Sequence, residues 1–83
     1  MDDLENICQH IERDNPEAAQ RVAQTIYSGC ARLQEFPHLG RTSIRMIGRR
    51  ELVFSPLPYI AIYQITEQAV EISRIVHGAQ NWP

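Results

Sequence analysis

The sequence predicts an α+β fold, an N-terminal antiparallel helical hairpin packed on an antiparallel sheet of three to four strands, in one domain spanning residues 1–83. Three observations carry this. Apolar residues recur at spacings of three and four up to residue 35, they alternate at a spacing of two from residue 44, and the two regimes do not interleave. Helices segregated from strands along a chain collect on one face of an antiparallel sheet. Eighty-three residues supply a single core, since independent domains cluster at ~100–150 residues.

The elements follow in order. Asp2 or Asp3 caps a first helix, where acidic side chains meet the positive end of the helix dipole. Leu4, Ile7, Cys8 and Ile11 form its apolar stripe, and Asp14-Asn15-Pro16 stops it. The same residues start the second helix, with Asn15 as N-cap and Pro16 at the first helical position. Ala19, Val22, Ala23, Ile26, Cys30 and Leu33 give that helix one apolar face, ending before Phe36-Pro37. So short a connection makes the pair an antiparallel hairpin. Ile44–Ile47 is a weak strand candidate and Glu51–Phe54 a better one. Tyr59–Ile65, apolar on both faces, reads as an interior strand, and Ala69–His77 returns as the last. The hairpin is expected to cover one sheet face and leave the other open to a macromolecular client.

Composition excludes several classes. No apolar run approaches the ~18–20 residues that span a bilayer, and the chain opens Met-Asp-Asp rather than with a basic leader, so neither a membrane nor a secreted protein is expected. Two cysteines, both on helical apolar faces, fit a reducing cytoplasmic compartment. Cys8, Cys30, His10, His38 and His77 lack zinc-type spacing, and the four glycines are isolated rather than forming a phosphate cradle. Neither metal nor cofactor is expected.

Charge is uneven: residues 1–35 carry −4 and residues 36–83 carry +2, with Arg41, Arg45, Arg49 and Arg50 inside ten residues. These arginines form either an anion-binding patch or a solvated loop. Arg74 interrupts the alternation of Val70, Ile72 and Val76 on a strand expected to be interior, so it needs a partner, a groove, or a head that reaches water. His77 reads as a titrating or phosphate-binding group, or as a hydrogen-bonded structural histidine. Tyr59 and Tyr63 share one strand face and read as core. Trp82 is a lid on the sheet or part of a partner surface.

The order helix hairpin, Phe36-Pro37-His38-Leu39-Gly40-Arg41, Arg50-Glu51-Leu52-Val53, Leu57–Tyr63 and Val70–Trp82 resembles the RelE/ParE toxin superfamily, the ParE-like branch most of all. Asp3–Ile7 and Asn15–Ala19 add to the likeness, which covers nearly the whole chain. The resemblance implies the toxin of a type II toxin–antitoxin, plasmid-stabilisation-type module, neutralised by a cognate antitoxin whose extended tail wraps it. ParE-like members poison DNA gyrase and have no established catalytic residues. RelE-like members cleave mRNA on the ribosome, typically with lysines, arginines and a C-terminal tyrosine. This chain has no Lys, no Tyr near its C-terminus and a pI near 5.8, whereas phosphate contacts dominate nucleic-acid binding. The expected target surface is Arg41, Arg45, Arg49, Arg50, Arg74, His77 and Trp82. In the ribonuclease alternative Arg50, Glu51, Arg74 and His77 act, with Glu51 as base, Arg74 as phosphate clamp and His77 as general acid.

Family members usually begin with a further strand before the first helix. Either the start of this chain is truncated or misplaced, or its sheet is one strand short. A missing strand exposes an edge with unpaired backbone groups, to be filled by an antitoxin segment or by a second copy in a homodimer. An inactive, antitoxin-binding remnant is the third reading.

Overall fold

The computed structural model describes residues 2–79. It contains α1 (Asp2–Glu12), α2 (Pro16–Glu35), a 3₁₀ turn (Pro37–Leu39) and four strands, β1 (Arg41–Thr42), β2 (Arg50–Val53), β3 (Tyr59–Ile65) and β4 (Val70–His77). The strands form one antiparallel sheet in the order β1-β2-β3-β4.

The boundary between the helices is set as the sequence requires. Asn15 is extended, its side-chain oxygen accepts from the Ala18 N–H at 3.1 Å, and Pro16 opens α2. The apolar stripes of both helices then face the sheet, where Leu4, Val22 and Ile26 bury against Phe54, Ala61 and Ile75. Leu33, Tyr63 and Val70 close the far end of the same layer. Gly29 is what lets α2 lie this close, since a Cβ there would stand 2.5 Å from Cε1 of Phe54.

Three expectations need correction. Residues 44–47 are not a strand; with Ser43, Gly48 and Arg49 they form the loop from β1 to β2, turning at Gly48 with φ of 79°. The sheet's second face is not open. Ile60, Ile62 and Val76 are buried there in a smaller cluster of their own, and Met46 packs against it from the loop. Finally, β4 is the last strand in the sheet order rather than an interior one.

The alternation expected through Arg74 also breaks. Ile62 pairs with Arg74 but Tyr63 pairs with Ile72, so Ser73 is an additional residue in β4. This bulge switches the faces: Val70 and Ile72 pack on the helical side and Val76 on the other. On the outer side of β4, the Asp3 carboxylate accepts the Ile75 N–H at 3.0 Å, so α1 satisfies one edge donor of the sheet.

Candidate functional site

The chemistry-bearing side chains fall in three places. The first is the β1–β2 loop. Glu51 is 1% exposed, because β2 turns it onto the second sheet face beneath this loop. Its carboxylate accepts from Ser43 Oγ at 2.6 Å, Arg45 Nη1 at 2.8 Å and Arg41 Nη2 at 3.3 Å. Burial pushes the Glu51 carboxyl up, but the Ser43, Arg45 and Arg41 donors outweigh it and hold the group below its ordinary value. Ser43 Oγ accepts in turn from the N–H groups of Arg45 and Met46, and Arg45 Nη2 donates to the Gly78 carbonyl at 3.2 Å. Arg49 Nε reaches Ser73 Oγ at 3.2 Å, fixing the far end of the loop to the bulge.

The second is the corner below the 3₁₀ turn. Tyr63 is fully buried; its hydroxyl donates to the Pro37 carbonyl at 2.7 Å and accepts the Gly40 N–H at 3.0 Å. Gly40 is required there, since a Cβ would lie 2.4 Å from the Glu51 carbonyl oxygen and 2.6 Å from the Tyr63 hydroxyl. Arg50 Nη2 donates to the carbonyls of Gly40 and His38, while the buried Arg50 Nε has no hydrogen-bond partner among the described residues.

The third is the β4 edge. Arg74 forms a bidentate pair with Asp3, through Nε at 2.6 Å and Nη2 at 3.2 Å. Burial pushes the Asp3 carboxyl up, and the Arg74 and Ile75 donors more than offset it, leaving its pKa lowered. The same hydrogen bond raises that of Arg74. His77 lies edge-on to Tyr59, with ring centroids 5.6 Å apart, and its Nδ1 accepts the Ala79 N–H at 3.0 Å.

Of the expected site residues, then, the sheet register places Glu51 and Arg74 on either side of Ile62, two strand spacings or ~10 Å apart at their Cα atoms. It does not join their functional groups. Glu51 is turned to the loop, with no exposed side-chain surface, and Arg74 to α1. Arg45, Arg49 and Arg50 donate inward, and Arg41, whose side chain is 61% exposed, keeps the most solvent of the residues paired to Glu51. Trp82 lies outside the described residues. Sequence reasoning missed Ser43 and the Tyr63 hydroxyl as anchoring groups; a serine and a glutamate eight residues apart carry no local signal of a shared hydrogen bond. It also missed a groove of about 580 Å³ between α2 and β2, lined by Arg21, Ser28, Arg32, Leu39 and Val53 among others. Among the described residues no cluster could hold a metal ion, and no helix is long and apolar enough to cross a membrane. Both cysteines are free thiols.

Known proteins match this architecture over nearly its full length. Y4kP of Sinorhizobium fredii is 41% identical over 80 residues, which are 96% of this chain and 81% of that protein. Toxin RelE2 of Caulobacter vibrioides is 37% identical over 78 residues, 94% of this chain and 85% of the relative. A solved chain from the chromosomal ParDE toxin–antitoxin system of P. aeruginosa superposes with a TM-score of 0.79 at 28% identity, covering 90% of this chain and 83% of that one. The sequence profile of the ParE toxin of the type II parDE toxin–antitoxin system matches residues 1–82. With a helical hairpin on a four-stranded antiparallel sheet and this match from end to end, the chain belongs to the ParE toxin family of type II toxin–antitoxin systems.

Proposed function

We propose that this toxin arrests growth in the cytoplasm by binding a protein target, DNA gyrase, rather than by catalysis, and that a cognate antitoxin neutralises it. The observation that carries the non-catalytic reading is Glu51. A general base must reach the proton it abstracts, and this carboxylate is enclosed by Ser43, Arg45 and Arg41 and held ionised as a structural anion. The inward use of Arg45, Arg49 and Arg50 supports the same reading, because a ribosome binder needs its cations on phosphates. We propose Arg41, Arg45, Arg49, Arg50, Arg74, His77 and Trp82 as the target surface.

Supercoiling by purified gyrase tests this directly, with inhibition expected at stoichiometric excess of the protein. Undisturbed supercoiling at that excess refutes gyrase as target. The likeness to Toxin RelE2 keeps one alternative, ribosome-dependent mRNA cleavage through Arg50, Glu51, Arg74 and His77. Toeprinting on translating ribosomes decides it, since Arg74→Ala and His77→Ala then abolish cleavage. Induction without antitoxin separates either activity from an inactive remnant, which leaves growth unchanged.

A further inference from the structure

The β1–β2 loop sends its charge inward and its apolar side chains outward. Ile44 is 90% exposed and Ile47 is 100% exposed, three residues apart at its tip. Single exposed apolar residues need no explanation. These two stand on a loop fixed by Ser43, Arg45 and Arg49, so their positions are set before any partner arrives. A preorganised apolar pair loses little conformational freedom on docking, which is the property of an interface anchor.

Charge selects the kind of partner. Residues 41–50 hold four arginines and no acid, and Glu51 offsets one of those charges, so the base of the loop stays positive, with Arg41 the most open of the residues paired there. An acidic surface complements it. Nucleic acid is also acidic, but Arg45, Arg49 and Arg50 spend guanidinium donors on Glu51, Ser73 and main-chain carbonyls, where phosphates cannot take them. A protein surface fits better.

We propose that Ile44 and Ile47 are the anchors through which the toxin docks into an apolar depression rimmed by carboxylates on its protein target. This rests on the toxin reading above and adds an apolar contact to the charged surface proposed there. The test compares wild type with I44S/I47S, and with Y27S as a control at another exposed site (Tyr27 is 67% exposed on α2). Each protein is induced without antitoxin and titrated into the gyrase supercoiling assay. The double variant is expected to lose growth arrest and to raise the half-inhibitory concentration by roughly 30-fold or more, the loss typical of one strong anchor. Y27S behaves as wild type.

Both isoleucine side chains lie in solvent, so the variant keeps its thermal midpoint; should it melt early, I44T/I47T retains the branched shape and is read in the same way. Equal arrest by wild type and the double variant overturns the proposal alone. Arrest lost equally in Y27S also overturns it. Wild type that arrests growth without touching gyrase refutes gyrase as target, and the loop is then judged on growth arrest. Wild type that arrests nothing overturns the toxin reading and the proposal with it. Binding of a uridine oligonucleotide at physiological salt that is lost in R41Q but kept in I44S/I47S overturns the proposal in favour of nucleic acid.

Discussion

Replacing Glu51 with Gln removes one charge and leaves the side chain's shape, so it isolates what the carboxylate does beneath the loop. Its three donors are not equal. The Arg41 contact is 3.3 Å long on a side chain 61% exposed, and an ion pair so open to solvent contributes about 0–1 kcal/mol. Arg45, 16% exposed at its side chain, and Ser43, in a buried bond of 2.6 Å, are the substantial partners. Hydrogen bonds to a charged group contribute about 1.5–3 kcal/mol each. Glutamine keeps one acceptor oxygen and turns an amide N–H₂ toward a donor in place of the other. The net loss is about 3–4 kcal/mol, which lowers the melting midpoint by roughly 12–30 °C in a domain of this size.

Thermal melting by circular dichroism at pH 7 measures that drop, and a titration gives a second readout. The native pKa of Glu51 lies below its ordinary value of 4.5. Stability from this group is therefore fully present above 4.5 and is lost as pH falls through the lower native value. Wild type should destabilise through that window, and Glu51→Gln should show a shallower slope there, with Asp3 still contributing below its own ordinary 3.8. The pair of substitutions Glu51→Leu and Arg45→Met should cost less together than the sum of the two, because neither then strands a buried charge. A midpoint for Glu51→Gln within 2 °C of wild type, on the order of 0.5 kcal/mol or less by the same conversion, would mean that the carboxylate does not hold the loop.

Three further outcomes follow from the packing. Tyr63→Phe leaves the Pro37 carbonyl and the Gly40 N–H without their partner, and should lower the free energy of unfolding by about 1–3 kcal/mol, read as a lower urea midpoint at an unchanged m-value. Gly29→Ala gains about 1 kcal/mol in helix propensity, yet its Cβ meets the buried Phe54 ring at 2.5 and 2.8 Å. The clash should win by about 1–2 kcal/mol; a more stable variant refutes the close approach of α2. Asn15→Ala removes the cap on α2 and should cost about 1 kcal/mol, while Asn15→Asp keeps the acceptor and most of the stability, as equilibrium denaturation can check.

The chain alone determined the two helices and β3, whose causes are local. Asn15-Pro16 set the joint between the helices because a cap and a fixed φ act within three residues, and the observed α2 begins at that proline. β3 spans Tyr59–Ile65 as its continuous apolar run predicted, since a strand covered on both faces needs apolar side chains on both. Contacts between distant residues decided the rest. Ile44–Ile47 alternates like a strand, but Ser43 and Arg45 bond to Glu51 and Arg49 to Ser73, and these hold it as a loop. Arg74 lost its place in the alternation to one additional residue at Ser73, and its partner Asp3 sits 71 residues away in sequence. Four clustered arginines look alike as letters; whether a guanidinium faces a phosphate in solution or a carboxylate underneath depends on which strand lies below it, and only the folded sheet brings Glu51 there. Periodicity reports which side of an element is buried, whereas the pairing of charges is a property of two elements at once.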